Sequence, residues 1–478
     1  MVKTLGQKAA KGAVWASVDR FGMTGVHFLA NLILARLLVP DDYGIIGMLT
    51  IFLSVSQVLI DGGFNAALIQ KKEPTQRDYS TVFFWKLAVA IILYGMLFLI
   101  APSVARFFRM EVLSDVLKAI GVSLIFYSIL SVQTTRLKKM LSFKLISIVD
   151  ICVYVVALAV AVVLAYKGYG VWSLVSVYYT QNILGIILFA LITKWYPSLC
   201  ISRDSLRELS GFGKYMMAAT VLQEIGKNLQ GVIIGKKFSA AQMGYYSQAS
   251  KLDQVASYSL SQSIVQALFP VFSTLQDDPK ALGNIMATNV RVISFMVFPL
   301  EAMLIFIASP LIGFLYGNNW VPCAPYFQIL CLSGLFACLQ NVNYYAVAAV
   351  GRSRTLFYWS FYKWGFLIVA MLVGMNFGIM GILWAMLISS ANIFILNALL
   401  AHKHVGYTFG RQLRDLMPSA LISLASVVVI VVLRYFIPEL HPVLIVLIFA
   451  LVYLGLAFIF KVRALADTFK IVRNLFSK

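Results

Sequence analysis

Residues 143–166 read FKLISIVDICVYVVALAVAVVLAY, a run in which only Lys144 and Asp150 are charged. Such a run can cross the hydrocarbon core of a bilayer as one α-helix, which needs about 20 apolar residues. The whole chain has the same character, since 61% of its 478 residues are hydrophobic and 12% are charged. Soluble proteins carry about 25% charged residues. The composition therefore predicts an all-α polytopic membrane protein and excludes a water-soluble enzyme and a disordered chain.

Apolar segments of helix length recur along the whole chain, separated by charged residues or by Gly and Pro clusters. They predict 14 transmembrane helices near residues 12–36, 44–69, 80–102, 112–134, 143–166, 170–193, 212–236, 242–269, 284–308, 322–350, 355–377, 379–401, 416–436 and 441–460.

The basic residues indicate how these spans are oriented. The net charge is +20, with 39 Lys and Arg residues against 19 Asp and Glu residues. With the N-terminus inside, most of the basic residues fall in cytoplasmic segments, as the positive-inside rule requires. We therefore expect both termini to be cytoplasmic, and we attribute the positive charge to topology rather than to nucleic-acid binding.

The chain also contains an internal repeat. Residues 33–48, ILARLLVPDDYGIIGM, resemble residues 233–248, IIGKKFSAAQMGYYSQ, without a gap. In both, a span ends at basic residues and a Gly follows a short hairpin. The repeat predicts two six-helix lobes, residues 1–200 and 201–410, related by a pseudo-two-fold axis along the membrane normal. Residues 411–478 would then hold two additional spans and a cytoplasmic tail.

Charged and amide side chains occur inside the predicted spans, where a charge near the bilayer centre costs about 2.5–3.5 kcal/mol. The first, seventh and eighth spans are the most polar, so we expect them to line a hydrated cavity between the lobes. Amides can bind sugar hydroxyls, and cations can bind phosphate. The predicted substrate-binding residues are Arg20, Lys227, Lys251, Arg291, Lys363, Gln248, Gln254 and Gln262, and the candidates for ion coupling are Asp19, Glu224 and Asp253.

Other roles remain open for several of these charges. Lys86, Asp61 and Arg291 lie near the ends of spans, from which a long side chain can reach the membrane surface. Glu224 and Lys227 are three residues apart on one helix face and could neutralise each other.

The sequence lacks the motifs of catalysis and of cofactor binding. GVIIGKK (231–237) lacks the spacing of a phosphate-binding loop. The five cysteines include no CxxC pair, so we expect no disulfide, no metal site and no cofactor. The predicted outer loops are short, which also disfavours a membrane enzyme.

Four stretches resemble a known family: ARLLVPDDYGIIGM (35–48), DGGFNAALIQKKE (61–73), FPVFSTLQDDPKAL (269–282) and LYGNNWVPCAPYFQILCLSGL (315–335). They are similar to Wzx-type polysaccharide flippases, and more narrowly to the colanic-acid and teichuronic-acid exporter branch. This branch belongs to the multidrug/oligosaccharidyl-lipid/polysaccharide exporter superfamily. The resemblance covers about the first 400 residues and lies in structural rather than catalytic motifs.

The resemblance implies a function as well as a fold. A flippase of this kind moves undecaprenyl-diphosphate-linked oligosaccharide across the bacterial inner membrane by alternating access, for synthesis of surface polysaccharide such as lipopolysaccharide or exopolysaccharide. Its implied partners are the lipid-linked oligosaccharide, membrane lipids, and a polysaccharide polymerase with its export machinery. Two alternatives stay open, a cation-coupled multidrug exporter of the same superfamily and a membrane glycan polymerase.

Overall fold

The computed structural model describes residues 22–258, 272, 274–276, 278–438 and 441–476. Every regular element in these ranges is a helix. The helices are α1 Gly22–Leu37, α2 Pro40–Asp61, α3 Phe64–Gln70, α4 Gln76–Phe108, α5 Val112–Lys139, α6 Phe143–Tyr166, α7 Val171–Thr193, α8 Arg203–Lys237, α9 Ala240–Asp253, α10 Pro279–Phe306, α11 Ala308–Tyr316, α12 Ala324–Ala349, α13 Ser353–Gly374, α14 Gly378–Val405, α15 Phe409–Phe436, α16 Pro442–Ile459 and α17 Arg463–Phe476.

Ten stretches of the described chain are long and apolar enough to cross a membrane. One of them, Tyr358–Val405, contains most of α13 and all of α14. Large apolar side chains such as Leu99 (77% exposed) and Phe458 (76%) cover the outside of these helices, as a lipid-facing surface requires. The protein is therefore a multi-pass membrane protein, and the exact number of 14 spans stays a prediction.

The predicted span 44–69 is interrupted in the structure. Gly62 and Gly63 adopt positive φ angles of 54° and 74°, a left-handed conformation that costs glycine little because it has no Cβ. Their turn ends α2 at Asp61 and starts α3 at Phe64. The break leaves Asp61 and Asn65 side by side, with the amide of Asn65 2.9 Å from the Asp61 carboxylate.

The segment after α3 is fixed by ion pairs. Lys71 lies 2.9 Å from the Glu208 carboxylate of α8 and 3.1 Å from that of Asp78 in α4. The hydrogen bond to Glu208 raises the pKa of Lys71, so the ammonium group stays charged at neutral pH. Thr75 and Asp78 form a capping box that starts α4, each accepting a hydrogen bond from the other's backbone N–H.

The two copies of the repeat meet at a close helix crossing. A Cβ atom placed on Gly44 would lie 1.9 Å from the carbonyl oxygen of Ala240, and one placed on Gly244 would lie 1.9 Å from that of Pro40. The repeat pairs Pro40 with Ala240 and Gly44 with Gly244. The two contacts are therefore equivalent. The backbones can approach so closely only because both positions lack a side chain.

The contacts within the chain define two compact units, one extending to Ser247 and the other starting at Gln248. In the first unit, α4 packs on α5, α6 on α7, and α8 on α2. In the second, α12 packs on α14, and α10 lies against α12, α15 and α17. The contacts assign α8 to the first unit, whereas the repeat assigns it to the second lobe. The lobe boundary after residue 200 therefore stays a prediction from the repeat.

Candidate functional site

A buried ion pair occupies the interior of the first unit. Lys86 of α4 is fully buried, and its ammonium lies 2.9 Å from the Asp61 carboxylate and 2.6 Å from the Asn65 amide oxygen. The hydroxyls of Tyr127 and Ser131 donate to the same carboxylate at 2.8 and 2.9 Å. The expectation that Lys86 reaches the membrane surface is therefore wrong, because the turn at the end of α2 presents a carboxylate to it inside the protein.

Glu224 and Lys227 form an ion pair along α8, with the ammonium 3.2 Å from the carboxylate. The Lys227 side chain is 52% exposed, whereas that of Glu224 is 23% exposed. Asn228 donates to Glu224 and also to the Ser54 hydroxyl of α2, at 3.3 and 3.1 Å. The three-residue spacing places both side chains on one helix face, and they form the ion pair there. About half of the Lys227 side chain nevertheless remains exposed.

Of the most polar predicted span, 242–269, the structure describes residues 242–258, which lie in α9 and in the π-helical turn Gln254–Tyr258 that follows it. Gln248 is fully buried, whereas Lys251 and Gln254 are exposed. A π turn widens a helix and frequently marks a functional site. Three predicted site residues, Asp19, Arg20 and Gln262, lie outside the residues that the structure describes.

Asp253, at the end of α9, lies beside two side chains from other helices. Within the described residues, one group of three could hold a metal ion: Asp253, Glu301 of α10 and Cys331 of α12, whose ligand atoms all lie within 4.8 Å of one another. Like charges so close together disfavour each other, which favours a bound cation or the protonation of one of the two carboxyl groups. Sequence spacing gave no sign of this cluster, because its members come from three separate helices.

Arg291 of α10 binds two acidic residues from later helices. Its guanidinium lies 3.2 Å from the Asp415 carboxylate of α15 and 2.8 Å from that of Asp467 in α17. Tyr407 donates to the other oxygen of Asp415 at 2.7 Å. This arrangement ties the C-terminal helix α17 to α10 and gives Arg291 a structural role, so we leave it out of the site proposed below.

Lys363 lies in the middle of α13 and is partly buried. Its ammonium lies 5.0 Å from the ring centroid of Trp364. The neighbouring Tyr362 has its hydroxyl 3.1 Å from the side-chain oxygen of Asn392 in α14. The contact between Tyr362 and Asn392 thus joins α13 to α14 at the residue next to Lys363.

Further buried amides of the second unit escaped sequence reasoning. Gln340 of α12 donates to the backbone oxygen and the hydroxyl of Ser390 in α14, at 2.8 and 2.9 Å. Asn343 donates to Gln412 of α15 at 3.1 Å. The amides are close together in the sequence QNVNYY (340–345), but their partners lie on other helices, so only the packing of α12 against α14 and α15 reveals them as a network.

With this geometry in place, comparison with known proteins identifies the family. Residues 33–325 match the family described as Polysaccharide biosynthesis protein. The chain belongs to this family. Among its relatives, the teichuronic acid biosynthesis protein TuaB of Bacillus subtilis is 23% identical, covering 73% of this chain and 72% of TuaB. The lipopolysaccharide biosynthesis protein WzxC of Escherichia coli is 22% identical, covering 78% and 76%. The resemblance to Wzx-type flippases is thereby confirmed.

Solved structures share the fold at low sequence identity. The lipid II flippase MurJ in an inward closed conformation superposes with a TM-score of 0.73 at 14% identity, covering 93% of this chain and 98% of MurJ. An inward-facing multidrug transporter of the MATE family gives 0.62 at 10% identity, covering 83% and 98%. This family member therefore has the fold of membrane exporters, and the two likenesses say nothing by themselves about its substrate.

Proposed function

We propose that the protein is a flippase that translocates undecaprenyl-diphosphate-linked oligosaccharide repeat units across the bacterial inner membrane by alternating access. Two findings together carry the proposal. The chain belongs to a polysaccharide biosynthesis family, and it has the fold of a lipid II flippase over 93% of its length. Polysaccharide repeat units are built on a lipid carrier, and a flippase fold suits a lipid with a large polar head.

Two groups of side chains supply the chemistry that such a cargo needs. Lys227 of the first unit and Lys251 of the second each present an ammonium group at an exposed position, and an ammonium group suits a phosphate. Gln254 adds an amide in the adjoining π turn, which suits sugar hydroxyls. The carboxyl groups of Asp253 and Glu301 provide a candidate site for a coupling cation or proton.

The remaining features of the proposal follow from the same mechanism. Translocation needs no covalent step, so we propose that the protein is not an enzyme. The distribution of Lys and Arg supports a cytoplasmic location for both termini. The released repeat unit passes to a polysaccharide polymerase on the outer side of the membrane.

The proposal is tested by deleting the gene and extracting the lipids. We expect repeat units linked to undecaprenyl diphosphate to accumulate, protected from a glycan-modifying reagent that cannot enter the cell. Surface polysaccharide should fall, and the full-length chain supplied in trans should restore it. A matched control strain lacks the first glycosyltransferase of the same polysaccharide; it should lose the polymer without trapping the carrier.

Two other outcomes would replace the proposal. Normal surface glycan together with increased drug sensitivity would indicate a multidrug exporter, which the likeness to a MATE transporter makes the second candidate. New glycosidic bonds formed by the purified protein from lipid-linked units would indicate a polymerase.

A further inference from the structure

The C-terminal helix α17 is amphipathic. Its apolar residues recur at spacings of four and three, the period of one helix face, at Leu465, Phe469, Val472 and Phe476. The basic residues Arg463, Lys470 and Arg473 fall outside this stripe. A helix with one apolar and one basic face is typical of segments that lie in the surface of a membrane.

The length of α16 fixes where α17 begins. The 18 residues of α16 carry no charge, and at 1.5 Å per residue they extend about 27 Å. A hydrocarbon core is about 30 Å thick, so α16 needs its whole length to cross, and the next charged residue, Lys461, lies at a membrane surface. There the chain turns, because Lys461 has a φ of 47° and the N–H of Val462 donates to the oxygen of Ala457 at 3.0 Å. Since α17 starts two residues after Lys461, it starts at that surface.

Neighbouring residues of α17 show what each side of the helix contacts. Ala464 is buried, and the Asp467 carboxylate lies 2.8 Å from the guanidinium of Arg291 in α10, so this side packs on the second unit. Phe469 is 67% exposed and, at about 100° per residue, lies roughly 140° around the helix from Ala464. Lys470 is also exposed and lies about 120° from Ala464 in the opposite sense. The helix therefore has a protein side, a basic side and an apolar side that the described residues leave largely uncovered.

The membrane that α16 crosses is the cover that the apolar side fits. The last turn of α16 and the residue after it already expose apolar side chains to lipid, at Phe458, Ile459 and Phe460. The short turn keeps α17 beside this lipid-facing surface, and Phe469 extends the exposed apolar residues past the turn. With Phe469 among the lipid chains, the basic side of α17 lies at the level of the headgroups, where cations complement anionic lipid.

We infer that α17 binds the anionic headgroups of the membrane that α16 crosses, with Phe469 inserted among the lipid chains and Arg463 and Lys470 at the headgroup phosphates. The inference does not depend on the transported substrate. Arg291, which binds Asp467, also binds Asp415 of α15. The helix thus links the headgroup surface to α10 and α15.

Hydrogen exchange of the purified full-length protein in nanodiscs tests the inference. The α17 amides should exchange at least about tenfold more slowly in phosphatidylcholine discs that contain phosphatidylglycerol, an anionic lipid, than in discs of phosphatidylcholine alone. Lys470→Gln should reduce this ratio about fivefold, which corresponds to about 1 kcal/mol for one lysine near an anionic surface. Ala466→Gln is the matched control and should keep the ratio, since Ala466 is exposed on the same helix and the substitution leaves the charge unchanged.

A second variant separates the apolar contact from the charge. Phe469→Ser should speed exchange of α17 in both kinds of disc, because insertion of the ring does not depend on the headgroup. The amides of α4 and α5 belong to the first unit and should exchange as in the wild type in the same disc, which reports that the variant is folded. If Phe469→Ser changes their exchange as well, Phe469→Ala replaces it.

Two kinds of result would overturn the inference. One is equal exchange of wild-type α17 in the two kinds of disc, or an equal ratio for Lys470→Gln and Ala466→Gln. The other is protection of α17 in native membrane vesicles but in neither disc, which would indicate a protein partner instead of lipid.

Discussion

Lys86 shows how a full charge is kept inside a membrane helix. Its ammonium has three oxygen neighbours, from Asp61, Asn65 and Ser131, at 2.6 to 2.9 Å. Burying an ion is favourable only when its partners replace the lost hydration. The partners come from the broken end of α2, from α3 and from α5, so the pair fixes the geometry of four helix segments.

Removing one member of this pair should therefore destabilise the first unit. Lys86→Met leaves the Asp61 carboxylate without its cation, and we expect the free energy of unfolding to fall by about 3 kcal/mol. The double variant Lys86→Met/Asp61→Asn removes both charges and should recover most of that loss. Thermal unfolding of the purified protein in detergent, followed by tryptophan fluorescence, measures both. A single variant as stable as the wild type would show that the pair contributes nothing.

At the scale of the helices, the crossing at Gly44 and Gly244 joins α2 to α9. Each glycine accommodates the carbonyl oxygen of the other helix's first residue. A methyl group at either position must push the helices apart. Because the two contacts are equivalent under the repeat, substitution of either glycine should have the same consequence.

We expect Gly44→Ala and Gly244→Ala each to lower the unfolding temperature of the purified protein, by similar amounts. Gly95→Ala is the matched control, since a Cβ there has nothing within 4 Å. Alanine is favoured over glycine in a helix by about 1 kcal/mol, so the control should be neutral or slightly stabilised. Stabilisation by all three substitutions would contradict the close crossing.

The ten apolar stretches could be predicted from the sequence because hydropathy is the main property that makes a segment enter a membrane. The span predicted at 143–166 has the bounds of α6. The break in the span 44–69 could not be predicted, because membrane helices tolerate glycine and only the left-handed φ angles of Gly62 and Gly63 end the helix. Side-chain contacts between distant residues, such as Arg291 with Asp467, leave no periodic signal.

At the scale of the whole molecule, the basic residues of the predicted spans differ in how completely the protein encloses them. Lys86 and Arg291 are held by carboxylates and bring helices together. Lys227 and Lys251 are exposed, although both lie in helices that correspond to predicted spans. Exposed ammonium groups can meet a cargo without disrupting the helix packing, even though Lys227 also pairs with Glu224 on its own helix, which is why these two lysines carry the proposed transport role.

Replacing Lys251 should therefore impair transport more than it lowers the stability of the protein. A hydrogen bond to a charged group contributes about 1.5–3 kcal/mol, so Lys251→Ala should slow export of the repeat unit about tenfold. Lys251→Arg keeps the charge and should retain most activity. Lys280→Ala removes the same charge from an exposed position at the start of α10 and serves as the control. Recovery of surface glycan in the deletion strain, normalised to the amount of membrane-inserted protein, measures the effect. Full recovery with Lys251→Ala would remove this residue from the proposed site, because a cation needed to bind the diphosphate cannot be dispensable.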